Sequence, residues 1–114
     1  MEGGVKKDDY KEDFIEILKQ LEYYNRKYEK QQFKAKIYKE AFYQIKNLDE
    51  KLTSSDDIKN LPGIGKAITE KLDELIKTNK LINLEKLKEK YGTDDYQQDK
   101  IKQEKKEIFL QIHG

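Results

Sequence analysis

Residues Leu61 to Leu72 read Leu-Pro-Gly-Ile-Gly-Lys-Ala-Ile-Thr-Glu-Lys-Leu, and this stretch limits the fold more than any other. Pro62 drives Leu61 out of the helical region and stops a helix that arrives there. Gly63 and Gly65 tolerate positive φ and carry no Cβ. A new helix opens directly behind them, because Ile68, Leu72, Leu75 and Ile76 recur at helical spacing. The first N–H groups of that helix have no intrahelical partner and sit at the positive end of its dipole. Such donors suit a phosphate.

The remaining pattern is also helical. From Tyr10 to about Tyr24, the residues Phe14, Ile17, Leu18 and Leu21 mark an amphipathic helix. A second helix is expected from about Glu29 to Ile45, with the stripe Phe33, Ile37, Ala41, Ile45 and Phe42 beside it. Asn47 to Ser54 reads as a loop. Ser54 and Asp57 have capping-box spacing, which predicts a short helix over Ser55–Asn60. The helix behind the glycines runs from near Gly65 to about Lys77, and Thr78 to Lys80 turn the chain. Asn83 reads as the N-cap of a helix over 84–91 that Gly92 ends.

The expected fold is therefore all-α. A compact four-helix domain spans 10–91, behind a disordered tail over 1–9. Residues 92–114 read as a linker and the start of a following subdomain. Within it, Asp94 and Asp95 are expected in a loop, without a metal role. The apolar run Ile108, Phe109, Leu110 and Ile112 precedes Ile-His-Gly, which resembles the opening of a second hairpin. The sequence is thus expected to be the N-terminal piece of a longer protein.

Composition narrows the function. Charged residues make up 41% of the 114 and hydrophobic ones 35%, so the core must be thin. No apolar run is long enough to span a membrane. There is no cysteine, and His113 is the one histidine, which excludes thiolate and histidine-cluster metal sites. Net charge is +1, yet residues 26–46 carry +5 and residues 59–90 carry +3. The basic excess falls before and on the glycine turn, where a DNA-backbone binder needs it. A solvated lysine-rich face has the same charge, so charge alone does not decide. One bundle uses all the apolar stripes, so a monomer is expected.

The segment Leu61–Leu72 resembles a helix-hairpin-helix, which grips a DNA backbone without reading bases. More widely, residues 10–90 resemble the N-terminal lyase domain of the family X DNA polymerases, the family of DNA polymerase beta. The likeness rests on Leu61-Pro62-Gly63-Ile64-Gly65, on Glu70-Lys71, on Lys80-Leu81 with Leu84-Glu85-Lys86, and on Lys34 and Tyr38. It implies binding of gapped DNA at the 5′-phosphate side and removal of 5′-deoxyribose phosphate. Lys71 matches the lysine that forms a Schiff base with the sugar, and Glu70 and Tyr38 stand with it as catalytic candidates. Lys34, Tyr38 and Lys59 match the phosphate and sugar pocket, and Gly63, Gly65 and Lys66 the hairpin contacts. Carbonyls of Lys59, Leu61 and Ile64 match a site for a monovalent cation, Na or K. The lyase needs no other cofactor; Mg belongs to a polymerase domain outside this chain. The setting implied is intracellular, with DNA: a nucleus, or the cytoplasm or virion if the source is a large DNA virus.

Three positions depart from the family pattern. Phe33 stands where a template-stacking histidine is found, and a phenyl ring stacks equally. Ala67 and Asn83 each replace a lysine, which weakens 5′-phosphate binding and removes charge that favours a neutral amine at Lys71. A non-catalytic module that positions a polymerase on gaps is the alternative these losses favour. A protein-binding scaffold is a third reading.

The chemistry has its own demands. A Schiff-base lysine attacks as a free amine, whereas an ordinary lysine titrates near pH ~10.4. Desolvation or nearby cations must favour the neutral form. Lys71 is three residues past Ile68 and so flanks the buried face. Lys34 and Tyr38 lie one turn apart on the second helix, and packing of the two helices would bring them near Lys71. Glu70 projects about 100° from Lys71 around the helix. The plain alternative is that Lys71 is one of 23 lysines on solvated helices.

Overall fold

The computed structural model describes residues 7–113, with side chains as far as Lys105. Every regular element among them is helical. In order these are α1 (Lys11–Lys27), α2 (Gln32–Lys46), a 3₁₀ turn (Ser55–Asp57), α3 (Lys66–Thr78), α4 (Ile82–Tyr91) and α5 (Asp94–His113). The all-α expectation holds.

Helices α1 and α2 lie side by side and form the floor. Phe14, Leu18 and Leu21 of α1 are fully buried against Ala41 and Ile45 of α2. Each such side chain contributes roughly 1.5–3 kcal/mol when removed from water. The turn between the helices is tight. Tyr28 and Glu29 both donate their N–H to the Tyr24 carbonyl at 3.0 Å, and Lys30 is left-handed at φ 57°. That geometry starts α2 at Gln32 and not at Glu29 as expected.

The buried face of α2 also differs from expectation. It comprises Ala35, Tyr38, Ala41 and Ile45, while Ile37 is only partly covered and Phe33 stands in solvent. A tyrosine offers a large apolar ring with one polar tip, and the core takes the ring. A stripe drawn through Phe33 and Ile37 overlooked that.

Leu52 and Ile58 close one end of the core from the loop, and Ile64, Ile68, Leu72 and Leu75 roof it from the hairpin and α3. The capping box is present. Ser54 Oγ accepts from the Asp56 N–H at 3.2 Å, and Asp57 Oδ2 accepts from the Ser54 N–H at 3.1 Å. The helix it starts is only the 3₁₀ turn, shorter than the expected Ser55–Asn60.

Three further corrections concern the ends. Residues 1–6 of the expected tail lie outside the described residues, but Asp9 is held: Oδ1 accepts from the Lys11 N–H at 3.0 Å and the Leu52 N–H at 2.9 Å. Asn83 is not an N-cap. Helix α4 begins at Ile82, whose N–H donates to Glu74 Oε2 at 2.8 Å, so a carboxylate from α3 satisfies the first turn and Asn83 lies exposed within it. The expected linker is helical from Asp94, with Asp94 and Asp95 in the first turn of α5, where they complement the dipole. Gly92, left-handed at φ 78°, ends α4 as expected. The apolar run 108–112 falls beyond the described side chains.

The start of α5 docks on α1 through tyrosines. Tyr96 donates to Glu16 Oε2 at 2.7 Å and Tyr28 to Asp95 Oδ2 at 2.6 Å. The Tyr23 and Tyr96 rings meet edge to face at 5.3 Å.

Candidate nucleic-acid interface

The hairpin is built by the residues that predicted it. The Ile64 N–H donates to the Leu61 carbonyl at 3.1 Å, and Gly63 sits at φ 80° in the turn. A Cβ on Gly63 would lie 3.9 Å from Glu40 Oε1, so the turn rests on α2. Glu40 escaped the sequence reading, and its spacing from the hairpin gave no sign of the contact. Gly65 behaves differently from expectation. Its φ is −105°, an ordinary extended value, and a Cβ there would meet nothing within 4 Å. Its use is open access to the backbone and not a positive φ.

Helix α3 starts at Gly65 without a side-chain cap and without an acidic residue in its first turn. The first internal bonds run from Ile68 and Thr69 N–H to the Gly65 carbonyl, at 3.1 and 3.2 Å. The N–H groups of Lys66 and Ala67 make no backbone hydrogen bond among the described residues, and Gly65, Lys66 and Ala67 are all exposed. By contrast α1, α4 and α5 each carry acids in their first turn. The start of α3 is therefore shaped for an anion.

Two of the hairpin cations have partners. Lys66 Nζ lies 3.8 Å from Glu70 Oε2, and Lys59 Nζ lies 3.1 Å from Asp56 Oδ1. All four side chains are largely exposed, and such pairs contribute little, so a phosphate can take either lysine. The carbonyls expected to hold a cation are those of Lys59, Leu61 and Ile64. Leu61 accepts one hydrogen bond, and Lys59 and Ile64 accept none from the described backbone outside the helices. A carbonyl with a free lone pair suits a hard cation.

Lys71 lies apart from Glu70. Its side chain is half-buried, and Nζ stands 5.6 Å above the centroid of the Tyr38 ring. It makes no ion pair among the described residues. Tyr38 is itself buried on the core face of α2, and burial raises the pKa of its phenol while the Lys34 cation pulls it down. The phenol has no hydrogen bond to another described residue. Since no buried side-chain polar atom lacks a partner among the described residues, its oxygen reaches water. Lys34 is exposed beside it. The structure thus brings Lys71, Tyr38 and Lys34 together and sends Glu70 to Lys66. Phe33 is 78% exposed one turn before Ile37.

Among the described residues no group of three or more acidic or histidine side chains is placed to hold a metal, and no helix is long and apolar enough to cross a membrane. A family model for a helix-hairpin-helix domain matches residues 9–81, more than half of the chain. Domains of this kind point to DNA binding, which agrees with the uncapped start of α3 and the open backbone at Gly65. The chain belongs to the helix-hairpin-helix domain family.

Proposed function

We propose that this domain binds gapped DNA at the 5′-phosphate side and removes 5′-deoxyribose phosphate, as part of a family X DNA repair polymerase. One observation carries the reading: Lys71 Nζ, unpaired with any carboxylate among the described residues, stands 5.6 Å over a buried Tyr38 ring, beside the hairpin. With no carboxylate holding it among the described residues, the amine is open to an aldehyde without an ion pair being broken first.

The N–H groups at Gly65, Lys66 and Ala67, with Lys66 and Lys59, hold backbone phosphate. The Lys71 amine adds to the C1′ aldehyde and water leaves, giving a protonated imine. Loss of a C2′ proton then breaks the C3′–O bond, and the DNA departs with its 5′-phosphate. Hydrolysis of the imine returns Lys71 and releases the unsaturated sugar phosphate. The Tyr38 phenol, whose ring lies under Nζ, would exchange protons with the sugar. Glu70 acts only by holding Lys66. A monovalent cation, Na or K, would bind the carbonyls of Lys59, Leu61 and Ile64 and bridge them to a DNA phosphate.

Borohydride trapping on a one-nucleotide gap with a 5′-deoxyribose phosphate tests this. Wild type is expected to form a covalent adduct, and Lys71→Ala to lose it while still binding the gap. Adduct retained in Lys71→Ala removes Lys71 as the nucleophile. A second reading, a non-catalytic module that positions a polymerase, draws on Ala67 and Asn83, both exposed where the family has lysines. Its signature is preference for a 5′-phosphate over a 5′-hydroxyl gap with no adduct from wild type.

A further inference from the structure

Five of the eight tyrosines gather where the end of α1 meets α4 and α5: Tyr23, Tyr24, Tyr28, Tyr91 and Tyr96. Tyr28 and Tyr91 stack nearly parallel, with centroids 4.5 Å apart and planes at 11°. Tyr24 lies 5.9 Å from Tyr28 and 6.4 Å from Tyr91. Tyr23 meets Tyr24, Tyr28 and Tyr96 edge to face, at 5.8, 6.1 and 5.3 Å. The five rings are thus one connected set. Among the described residues no ring contact joins it to Tyr10, Tyr38 or Tyr43.

Three of these phenols donate to carboxylates. Tyr28 reaches Asp95 Oδ2 at 2.6 Å, Tyr91 reaches Glu29 Oε2 at 2.5 Å and Tyr96 reaches Glu16 Oε2 at 2.7 Å. A lysine stands beside each carboxylate, at 3.8, 3.7 and 3.1 Å, and favours its ionised form. The other two phenols differ. Tyr24 donates to the Gly92 carbonyl, a weak base, and Tyr23 accepts from Lys27 Nζ. Outside the set no phenol donates to a carboxylate among the described residues. A phenol that loses an electron becomes a strong acid, so the electron leaves most readily when the proton leaves with it. A carboxylate already within hydrogen-bond reach takes that proton at once. With no tryptophan and no cysteine in the chain, its tyrosines are the main targets of a one-electron oxidant. Tyr28, Tyr91 and Tyr96 are half-buried, so a small oxidant reaches them.

We propose that this cluster is a redox site that takes up one-electron oxidation of the domain: a small inorganic radical removes an electron from Tyr28, Tyr91 or Tyr96, and the phenolic proton passes to the paired carboxylate. The oxidant leaves as its anion and the O–H bond breaks. A neutral tyrosyl radical and a carboxylic acid remain. Contact among the rings lets the unpaired electron move within the set and settle where a proton acceptor stands. Tyr38, under Lys71, lies outside it. The site depends neither on the lyase reading nor on the start of α3.

Pulse radiolysis in azide solution tests it on the full chain. Azidyl radicals oxidise the tyrosines, a nitroso spin trap captures the tyrosyl radicals, and peptide mass spectrometry maps the adducts. In wild type, adducts at Tyr28, Tyr91 and Tyr96 are expected to exceed those at Tyr43, although Tyr43 is the more exposed phenol at 50%. The double variant Glu29→Gln with Asp95→Asn keeps every ring but removes two proton acceptors. It is expected to lose adducts at Tyr28 and Tyr91 and to collect them at Tyr96, whose partner Glu16 is untouched. Glu16→Gln is expected to do the reverse, losing Tyr96 and keeping Tyr28 and Tyr91. Circular dichroism checks the fold of each variant. A purely structural role for the three pairs predicts no such exchange between them. Adducts ranked by exposure in wild type, with Tyr43 leading, overturn the proposal. So does a wild-type adduct pattern in both carboxamide variants, which would leave the cluster as packing alone.

Discussion

Gly63 and Gly65 are two residues apart and serve different ends. Gly63 is left-handed, so Gly63→Ala is expected to cost about 1–2 kcal/mol in urea unfolding. Gly65 is extended and faces open space, in the backbone region of a helix N-cap. Gly65→Ser supplies the missing cap and is expected to stabilise the fold by about 0.2–0.5 kcal/mol. The same hydroxyl competes for the N–H groups offered to phosphate, so affinity for a 5′-phosphate gap should fall. Stability and binding move in opposite directions only if the start of α3 is an anion site. Unfolding and anisotropy on this one variant decide it. The sequence named both glycines but not their difference, because φ at Gly65 is set by how α3 packs.

At the scale of elements, α5 depends on Glu16. Burial raises the pKa of this carboxyl, but hydrogen bonds from Tyr96, Lys100 and Gln20 outweigh that and leave it below the usual glutamate range. A depressed value in the folded state means a contribution present above the unfolded value, near pH ~4.3, and lost as pH falls through the folded one. The near-ultraviolet tyrosine signal is therefore expected to show α5 loosening in acid, and Glu16→Gln to flatten that step. Tyr96→Phe should cost about 1.5–3 kcal/mol by removing one hydrogen bond to a charged group. Periodicity failed to announce this helix because tyrosines and carboxylates, not an apolar stripe, dock its described part. It failed likewise for the start of α4, whose first N–H is satisfied by Glu74 from another helix.

For the molecule as a whole, one thin core joins floor and roof, so a single large deletion is felt throughout. Phe14→Ala is expected to cost about 3–5 kcal/mol, a large share of the roughly 5–15 kcal/mol typical of a domain. Loss of cooperative unfolding by circular dichroism is the readout, and an unchanged midpoint would contradict the central place of Phe14. What the sequence determined by itself was local. The restart at Lys66, the Ser54–Asp57 box and the Gly92 stop each depend on groups within a few residues, and the 3.6-residue period needs only one helix to be legible. What the tertiary structure decided was which distant groups meet. Lys71 stands over Tyr38 although 33 residues separate them, and Tyr96 reaches Glu16 across 80. The choice of Tyr38 over Phe33 for the core belongs to the same class. A helix presents several faces at similar cost, and only the packing of neighbouring helices selects the one that loses its water.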